Sequence, residues 1–286
     1  MLKVTYFGTT ALLFDDGTDQ VLFDAHVTRP SLVRYLLGVK VGTDAALCDR
    51  LIAAHKIDRL RAIFISHTHH DHVMDAPYIA NRCGATVYGS ASAKNVALGG
   101  GVPEARTVVF EHGSRFDVGG YGIRILKSLH SKPTVLNNDL GVPITAPLKQ
   151  PARLRDYREG GSYDFYVECG RMRVLIRPSF NYIEGQLDGL PADVLFLGVA
   201  GLSKADAATE ARFFAETVER TGAKLVIPIH WDNFFAPLEQ PVRGMPRLIE
   251  RTDVVFHRLA RYCAAHGVNC LIQHPLTSIE LGGMNL

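Results

Sequence analysis

The sequence has few of the features that mark secreted, membrane or nucleic-acid-binding proteins. Its five cysteines are an odd number, are scattered along the chain and include no C-x-x-C pair, which argues against a disulfide framework and a thiolate zinc site. The 31 basic and 29 acidic residues nearly cancel, so no nucleic-acid-binding segment is indicated. We therefore expect small-molecule partners and a reducing, cytoplasmic location.

Long apolar runs are also missing. None approaches the roughly 20 residues that a membrane-spanning helix needs. The opening MLKVTYFGTTALLFDDG interrupts its apolar run with Gly8 and two threonines, so it lacks the core of a signal peptide. At 286 residues and 47% hydrophobic, the chain can bury a substantial core. We expect a single domain over residues 1–286 and leave open whether copies associate into a homo-oligomer.

Short apolar runs alternate with amphipathic segments along the chain. Three strands in a meander open it, a helix is expected at 43–57, and LRAIFIS predicts a buried strand. SYDFYVECG and RMRVLIRP predict a hairpin, and the buried strands ADVLFLGVAG and AKLVIPIHW enclose an amphipathic helix. A final helix is expected at 245–267. The pattern thus predicts that each half of the chain consists of strands followed by strand–helix units.

Residues 131–161 hold four prolines and show no sustained periodicity. A loop of this length within a compact domain is usually functional, so we predict an active-site loop or lid. Its basic residues suit an anionic substrate, although the acidic residues among them also fit an ordinary solvated loop. The basic residues are Lys132, Lys149, Arg153, Arg155 and Arg158.

The segment HTHHDH, residues 67–72, directly follows the buried strand LRAIFIS. His67 and His69 are two apart in an extended segment, so their imidazoles point to the same side, and Asp71 and His72 follow at the turn into a helix. Imidazole nitrogen and carboxylate oxygen are ligands of zinc, and also of manganese and iron. Zinc lowers the pKa of a bound water to about 7. The segment therefore predicts a catalytic metal site rather than a solvated polar loop.

This segment resembles the H-x-H-x-D-H hallmark of the metallo-β-lactamase superfamily, and the resemblance extends over nearly the whole chain. It implies an α+β fold of the four-layer αββα type, in which two mixed β-sheets are flanked by helices. It also implies two sets of metal ligands, completed by later histidines that follow strands. The first metal would be held by His67, His69 and His130, and the second by Asp71, His72 and His230.

The chain departs from the family at the bridging aspartate. The family places that residue in a Gly-Asp pair after a strand of the second half, where this chain reads RVLIRPSFNYIEG. Ser179 stands nearest to the expected position, and Asn181 is a neutral oxygen ligand close by. Without the carboxylate, two divalent ions repel each other with less compensation. We therefore expect zinc, with one ion held tightly and a second more weakly, and leave iron or manganese open.

Two further aspartates are candidates for orienting ligand histidines. Asp24 ends the strand in LFDAH, where the family often has an aspartate near the metal cavity, although a strand-end turn aspartate is an equal alternative. Asp232 lies two residues after His230 and would orient a ligand or bind substrate. His70, between the ligands, should face away from the metals.

The resemblance implies a zinc-dependent hydrolase in which a metal-bound hydroxide attacks an ester, lactone, amide or phosphodiester, with Asp71 holding that hydroxide. The opening VTYFGTTALLF and the ending PIHWD are similar to the lactonase-like and N-acylphosphatidylethanolamine phospholipase-like branch. Two alternatives stay open: a single-iron dioxygenase-type oxidoreductase of the same superfamily, and a non-catalytic metal-binding protein with a degenerate site.

Overall fold

Two seven-stranded β-sheets dominate the computed structural model, which describes residues 1–133 and 138–282. The first sheet contains, in spatial order, β16 (Thr277–Leu281), β1 (Leu2–Gly8), β2 (Ala11–Asp15), β3 (Gln20–Phe23), β5 (Leu60–Phe64), β6 (Thr86–Gly89) and β7 (Thr107–Val109). The second contains β15 (Asn269–Cys270), β14 (Leu225–Ile229), β13 (Val194–Gly198), β12 (Met172–Arg177), β11 (Ser162–Cys169), β9 (Tyr121–Ser128) and β8 (Arg115–Val118).

Both sheets are mixed. In the first, strands β16 to β3 are antiparallel and β3 to β7 are parallel. In the second, β8 to β12 are antiparallel and β12 to β15 are parallel. The strand meander and the hairpin that the sequence predicts supply the antiparallel parts. The carboxyl ends of the parallel strands are where ligand-binding loops are usually found in such sheets.

The helices are short, and none in the described ranges is long and apolar enough to cross a membrane. They are α1 (Leu32–Leu36), α2 (Ala45–Ala54), α3 (His70–Val73), α4 (Ala76–Cys83), α5 (Ala91–Gly99), α6 (Ala207–Phe214) and α7 (Thr252–Ala265). A π-helical turn, Ala215–Glu219, extends α6, and 3-10 turns lie at Glu104–Arg106, Leu154–Asp156 and Leu202–Lys204.

The core lies between the two sheets and beneath the helices on either side. Phe14 and Phe23 of the first sheet pack against Phe196 and Phe165 of the second, with ring centroids 6.1 and 5.2 Å apart. Leu22 points the opposite way, into a second apolar cluster with residues of α2 and α4. Helices α6 and α7 pack on the outer face of the second sheet. Because both faces of each sheet are buried, the four layers form the predicted αββα sandwich.

The structure differs from the sequence prediction at the final helix and in the segment between β3 and α2. The final helix begins at Thr252 rather than at 245, because Glu250 turns its carboxylate back to accept hydrogen bonds from the backbone N–H groups of Gly201 and Ser203. Between β3 and α2 the chain forms α1 and a short strand, β4 (Lys40–Val41), which the sequence pattern does not predict.

The long loop at 131–161 is anchored along its described part, whereas residues 134–137 lie outside the described residues. Its strand β10 (Ala152–Arg153) pairs antiparallel with β4. Near its end, Thr68 N–H donates to the carbonyl oxygen of Glu159 at 2.9 Å. This contact ties the loop to the histidine motif, since Thr68 lies between His67 and His69.

Candidate metal centre

The candidate ligands follow strand ends, as the sequence predicts. His67 and His69 lie in an extended segment after β5, and α3 begins at His70 immediately afterwards. His130 lies two residues beyond β9, and His230 follows β14 directly. His230 has a φ of +62°, a left-handed conformation that turns the chain sharply at the strand end.

The first set consists of His67, His69 and His130, each of which offers a nitrogen within 4.8 Å of the others. The three rings stand nearly perpendicular to one another, with centroids 4.8 to 4.9 Å apart. The Nε2 atom of His67 is buried and has no hydrogen-bond partner among the described residues. A buried nitrogen without a partner is costly unless a cation occupies the space between the rings.

The second set consists of Asp71, His72 and His230, also with ligand atoms within 4.8 Å of one another. The Oδ2 atom of Asp71 lies 3.6 Å from His72 Nε2 and 3.4 Å from His230 Nε2. The ring centroids of His67 and His72 are 3.7 Å apart, so the two sets are neighbours in one cavity.

The pKa shifts of His67, His130 and Asp71 favour cation binding. That of His230 does not, because burial would lower its pKa but the hydrogen bond and charge of Asp71 raise it overall. Burial, followed by the neighbouring histidines, lowers the pKa of His67 well below its ordinary value and that of His130 to about 4. Burial would raise the pKa of Asp71, but His72 and His230 hold it well below its ordinary value. Neutral imidazole and ionised carboxylate are the forms that coordinate metals. The residues present therefore fit divalent cations.

Asp24 contacts His72 of the second set on the side of the ring opposite to Asp71. Its Oδ2 atom lies 2.8 Å from His72 Nδ1 and accepts a hydrogen bond from Thr10 Oγ1 at 2.6 Å. Its other oxygen accepts from the Ser66 backbone N–H at 2.7 Å. Because an ionised carboxylate only accepts, Nδ1 of His72 carries the proton, and Nε2 is left to face Asp71. The contact is one that an orienting role for Asp24 requires, and that role stays a prediction.

Asp232 acts on His230 only indirectly. Its Oδ1 atom accepts hydrogen bonds from the Thr9 backbone N–H at 2.7 Å and from Tyr6 at 2.8 Å, and its Oδ2 atom pairs with buried Arg29 at 2.6 Å. The carbonyl oxygen of Thr9 in turn accepts from the His230 backbone N–H at 2.5 Å. Asp232 therefore fixes the backbone that carries His230 and does not touch its ring.

The two residues proposed to replace the bridging aspartate differ in their surroundings. The Asn181 amide donates to the carbonyl oxygen of His130 at 2.7 Å, and its oxygen accepts from the Tyr182 backbone N–H at 2.9 Å. Asn181 thus holds the chain after His130. Ser179 is buried at the end of β12. Among the described residues, Asp71 of the second set is the one carboxylate in either ligand set.

Asp139 is a member of the site that the sequence pattern did not reveal. Its Oδ1 atom lies 3.0 Å from His69 Nε2. Burial would raise the pKa of Asp139, but the hydrogen bond from His69 lowers it overall. With Nε2 bound to Asp139, His69 offers Nδ1 to a metal. The only sequence signal is an acidic residue in an aperiodic loop, which does not specify a partner.

His70 belongs to neither ligand set, although its Nδ1 atom lies 3.8 Å from Asp71 Oδ1. It is buried, and its ring lies 5.9 Å from the rings of both His26 and Tyr35 and 6.1 Å from that of Phe235. Burial lowers its pKa to about 4. His70 therefore packs as a neutral side chain in an aromatic wall behind Asp71.

Sequence comparison finds relatives of the whole region that carries the site. A family model described as a beta-lactamase superfamily domain matches residues 19–231. A UPF0173 metal-dependent hydrolase of Listeria innocua serovar 6a is 28% identical over 204 residues, which cover 68% of this chain and 80% of the relative. Other UPF0173 metal-dependent hydrolases match over a smaller share of their length. The match covers 25% of the relative from Myxococcus xanthus, 48% of that from Roseiflexus and 51% of that from Pyrobaculum islandicum.

Solved structures show the same fold. The metallo-beta-lactamase fold protein YhfI from Bacillus subtilis superposes with a TM-score of 0.60 at 16% identity, covering 98% of this chain and all of YhfI. CmlA, a diiron beta-hydroxylase from Streptomyces venezuelae, superposes with a TM-score of 0.61 at 14% identity, covering 98% of this chain and 54% of CmlA.

Proposed function

Because the chain belongs to the beta-lactamase superfamily, as the match over residues 19–231 shows, we propose that it is a metal-dependent hydrolase. The observation that carries the proposal is the pair of adjacent ligand sets, one of three imidazoles and one of two imidazoles and a carboxylate. The UPF0173 relatives, named metal-dependent hydrolases, support the same assignment. We also propose that the bond it hydrolyses is an ester, lactone, amide or phosphodiester.

Each candidate ligand has a role in the proposed metal-dependent hydrolysis. His67, His69 and His130 would hold one ion, and Asp71, His72 and His230 the other. A bound divalent ion supplies a Lewis acid and lowers the pKa of water. The chain's own residues orient the imidazoles through hydrogen bonds to the ring nitrogens. The Asp24 carboxylate contacts His72, and the Asp139 carboxylate contacts His69. The backbone carbonyl of Ser131 contacts His130.

Asp71 is the proposed catalytic carboxylate. It lies between the imidazoles of His72 and His230, and those neighbours keep it ionised. An ionised oxygen at this point can accept a hydrogen bond from the attacking water and orient it toward an ester, lactone, amide or phosphodiester. We infer zinc as the first choice of metal because neutral imidazoles and one carboxylate suit it. Because Asp71 is the one carboxylate in the two ligand sets of the described residues, the second ion would be held more weakly.

A screen of metal-loaded protein tests the proposal. Zinc-loaded protein is assayed with p-nitrophenyl acetate, a γ-lactone, an anilide and bis(p-nitrophenyl) phosphate, with and without chelator. We expect chelator-sensitive turnover of at least one of these substrates. His67→Ala should remove most of the metal of the first set and abolish that turnover. Hydrolysis that persists after the metal is lost would refute the mechanism.

An oxidoreductase is the second candidate, because three imidazoles without a bridging carboxylate also suit ferrous iron. Iron-loaded protein that consumes oxygen and hydrolyses none of the four substrates would favour it. Full metal loading with neither activity would favour a non-catalytic metal-binding protein. The cytoplasmic location and the role of the long loop as a lid remain proposals beside the hydrolase assignment.

A further inference from the structure

Arg155 of the long loop lies over the ring of Tyr35 in α1. Its Cζ atom is 5.4 Å from the ring centroid, which is within the range of a cation–π contact. The pairing of β10 with β4 brings this part of the loop to α1, since Arg153 opposite Lys40 lies two residues before Arg155. The exposed arginine is therefore held in one place.

Tyr35 connects this arginine to the metal centre. Its ring centroid lies 5.9 Å from that of His70, and His70 Nδ1 lies 3.8 Å from Asp71 Oδ1. Burial raises the pKa of Tyr35, Arg155 opposes that rise, and the charges of Asp71 and Asp139 add to it. Both carboxylates belong to the metal cavity, so the tyrosine hydroxyl lies within reach of the cavity's charges.

Arg155 has no acidic partner in the part of the chain that the structure describes. Among the described residues no carboxylate forms an ion pair with it, whereas other arginines, such as Arg59, Arg173 and Arg220, each pair with an acid. Within the cavity, Asp71 and Asp139 are already engaged with histidines. Bound divalent ions would leave this region with excess positive charge, because no bridging carboxylate offsets them.

We propose that Arg155, supported by the Tyr35 ring, binds a carboxylate or phosphate group of the substrate beside the metal centre. The planar fork of an arginine matches two oxygens of either group, and stacking on an aromatic ring keeps that fork in place. The assignment rests on the proposed hydrolase function, and it identifies a residue that selects anionic substrates.

Binding measurements on the zinc-loaded full chain test this assignment directly. Calorimetric titration with glutarate, inorganic phosphate and neutral glutaramide gives three dissociation constants for each variant. In the wild type we expect glutarate or phosphate to bind more tightly than glutaramide. Arg155→Met should raise the Kd of that anion about tenfold, which is the loss of about 1.4 kcal/mol. Arg155→Lys should recover only part of it, because lysine lacks the fork.

Arg153→Met is the matched control, since it removes an exposed arginine of the same loop that lacks the Tyr35 contact, and it should leave all three constants unchanged. The anion that responds to Arg155→Met distinguishes a carboxylate from a phosphate substrate. Equal anion affinity in wild type and Arg155→Met would overturn the proposal, because the metal alone would then hold the anion. Wild-type protein that prefers neither anion to glutaramide would overturn it as well.

These results are independent of the hydrolase test. If the wild type hydrolyses none of the four substrates, the proposed function fails whatever the anion affinities are. If hydrolysis is present and Arg155→Met binds both anions like the wild type, the hydrolase stands and the anion assignment fails. Metal content per chain, measured for each variant, checks that a change in Kd does not come from lost zinc.

Discussion

The Asp24 carboxylate lies 2.8 Å from His72 Nδ1, at the point where β3 ends beside the histidine motif. Asp24 has a φ of +54°, a conformation that aspartate and asparagine adopt more readily than other side chains. The contact links the end of β3, in the first sheet, to the cavity between the candidate ligands. The hydrogen bond positions the ring of His72 for its proposed role as a metal ligand.

We predict that Asp24→Asn weakens zinc binding by the set of Asp71, His72 and His230. Removing the charge that orients a metal-binding histidine typically lowers affinity by about 10- to 100-fold. Competition with a chromophoric chelator measures that affinity. Asp15→Asn, at a carboxylate that pairs with Arg59 on the surface, should leave it unchanged. Equal affinities in the two variants would mean that Asp24 is merely a strand-end turn residue.

A corresponding effect is expected at the first set from Asp139→Ala. Its carboxylate holds His69 Nε2 at 3.0 Å, so its loss frees the ring to rotate away from His67 and His130. Affinity for the first zinc should fall by about 10- to 100-fold. The control is Asp156→Asn, which alters an exposed acid of the same loop. Metal affinity that stays unchanged in Asp139→Ala would show that Asp139 does not orient His69.

The strand positions of the ligands could be predicted because their signals are local. The buried runs LRAIF and LVIPI are continuous apolar stretches, so the sites of His67 and His230 at strand ends follow from the residues themselves. The motif then places Asp71 and His72 at the start of a helix. The sandwich of two mixed sheets follows from the same runs and from the family resemblance.

The contacts that orient those ligands could not be predicted, because they join distant parts of the chain. Asp139 meets His69 across 70 positions, and Asp232 reaches Thr9 across 223. Nothing in the local pattern around an acidic residue specifies such a partner. The same holds for Asn181, which suits a ligand by residue type but uses its amide to hold the His130 carbonyl. Tertiary packing decides these roles.

Glu159 should stabilise the long loop in a pH-dependent way. Its carboxylate accepts hydrogen bonds from the backbone N–H groups of Gly141 at 2.7 Å and Gly161 at 2.9 Å, and from the Ser162 hydroxyl. Burial would raise the pKa of Glu159, but these donors lower it overall. We predict that Glu159→Gln lowers the free energy of unfolding by about 1–3 kcal/mol at pH 7.

The sign of the pH dependence follows from the lowered pKa. The stabilisation is complete above the ordinary value of 4.5 and is lost as the pH falls through the lower pKa of the folded state. The difference between wild type and Glu159→Gln should therefore shrink below pH 4.5. Denaturation of metal-free protein over a pH series measures it, with exposed Glu111→Gln as the control. A difference that does not change with pH would contradict the role of the charge.

Asp164 and Arg177 form an ion pair of which neither side chain is exposed, with Arg177 Nη2 3.3 Å from Asp164 Oδ2. Arg177 also donates to the Asn181 carbonyl oxygen at 2.8 Å, close to the chain that bears His130. Arg177→Met should lower the free energy of unfolding by about 3–5 kcal/mol, because it leaves a buried carboxylate without its counterion. The double variant Arg177→Met with Asp164→Leu should recover most of that loss in chemical denaturation. A double variant as unstable as the single one would contradict this explanation.

If the six side chains form two neighbouring metal sites, elemental analysis of protein purified without chelator will detect the bound ions. Zinc, iron and manganese are determined per chain before and after saturation with zinc, and again in His67→Ala and His72→Ala. We predict about two ions per saturated chain, since there are two ligand sets, and the loss of about one in each variant. Saturated wild-type protein that holds no metal, or variants that hold as much as the wild type, would contradict the account.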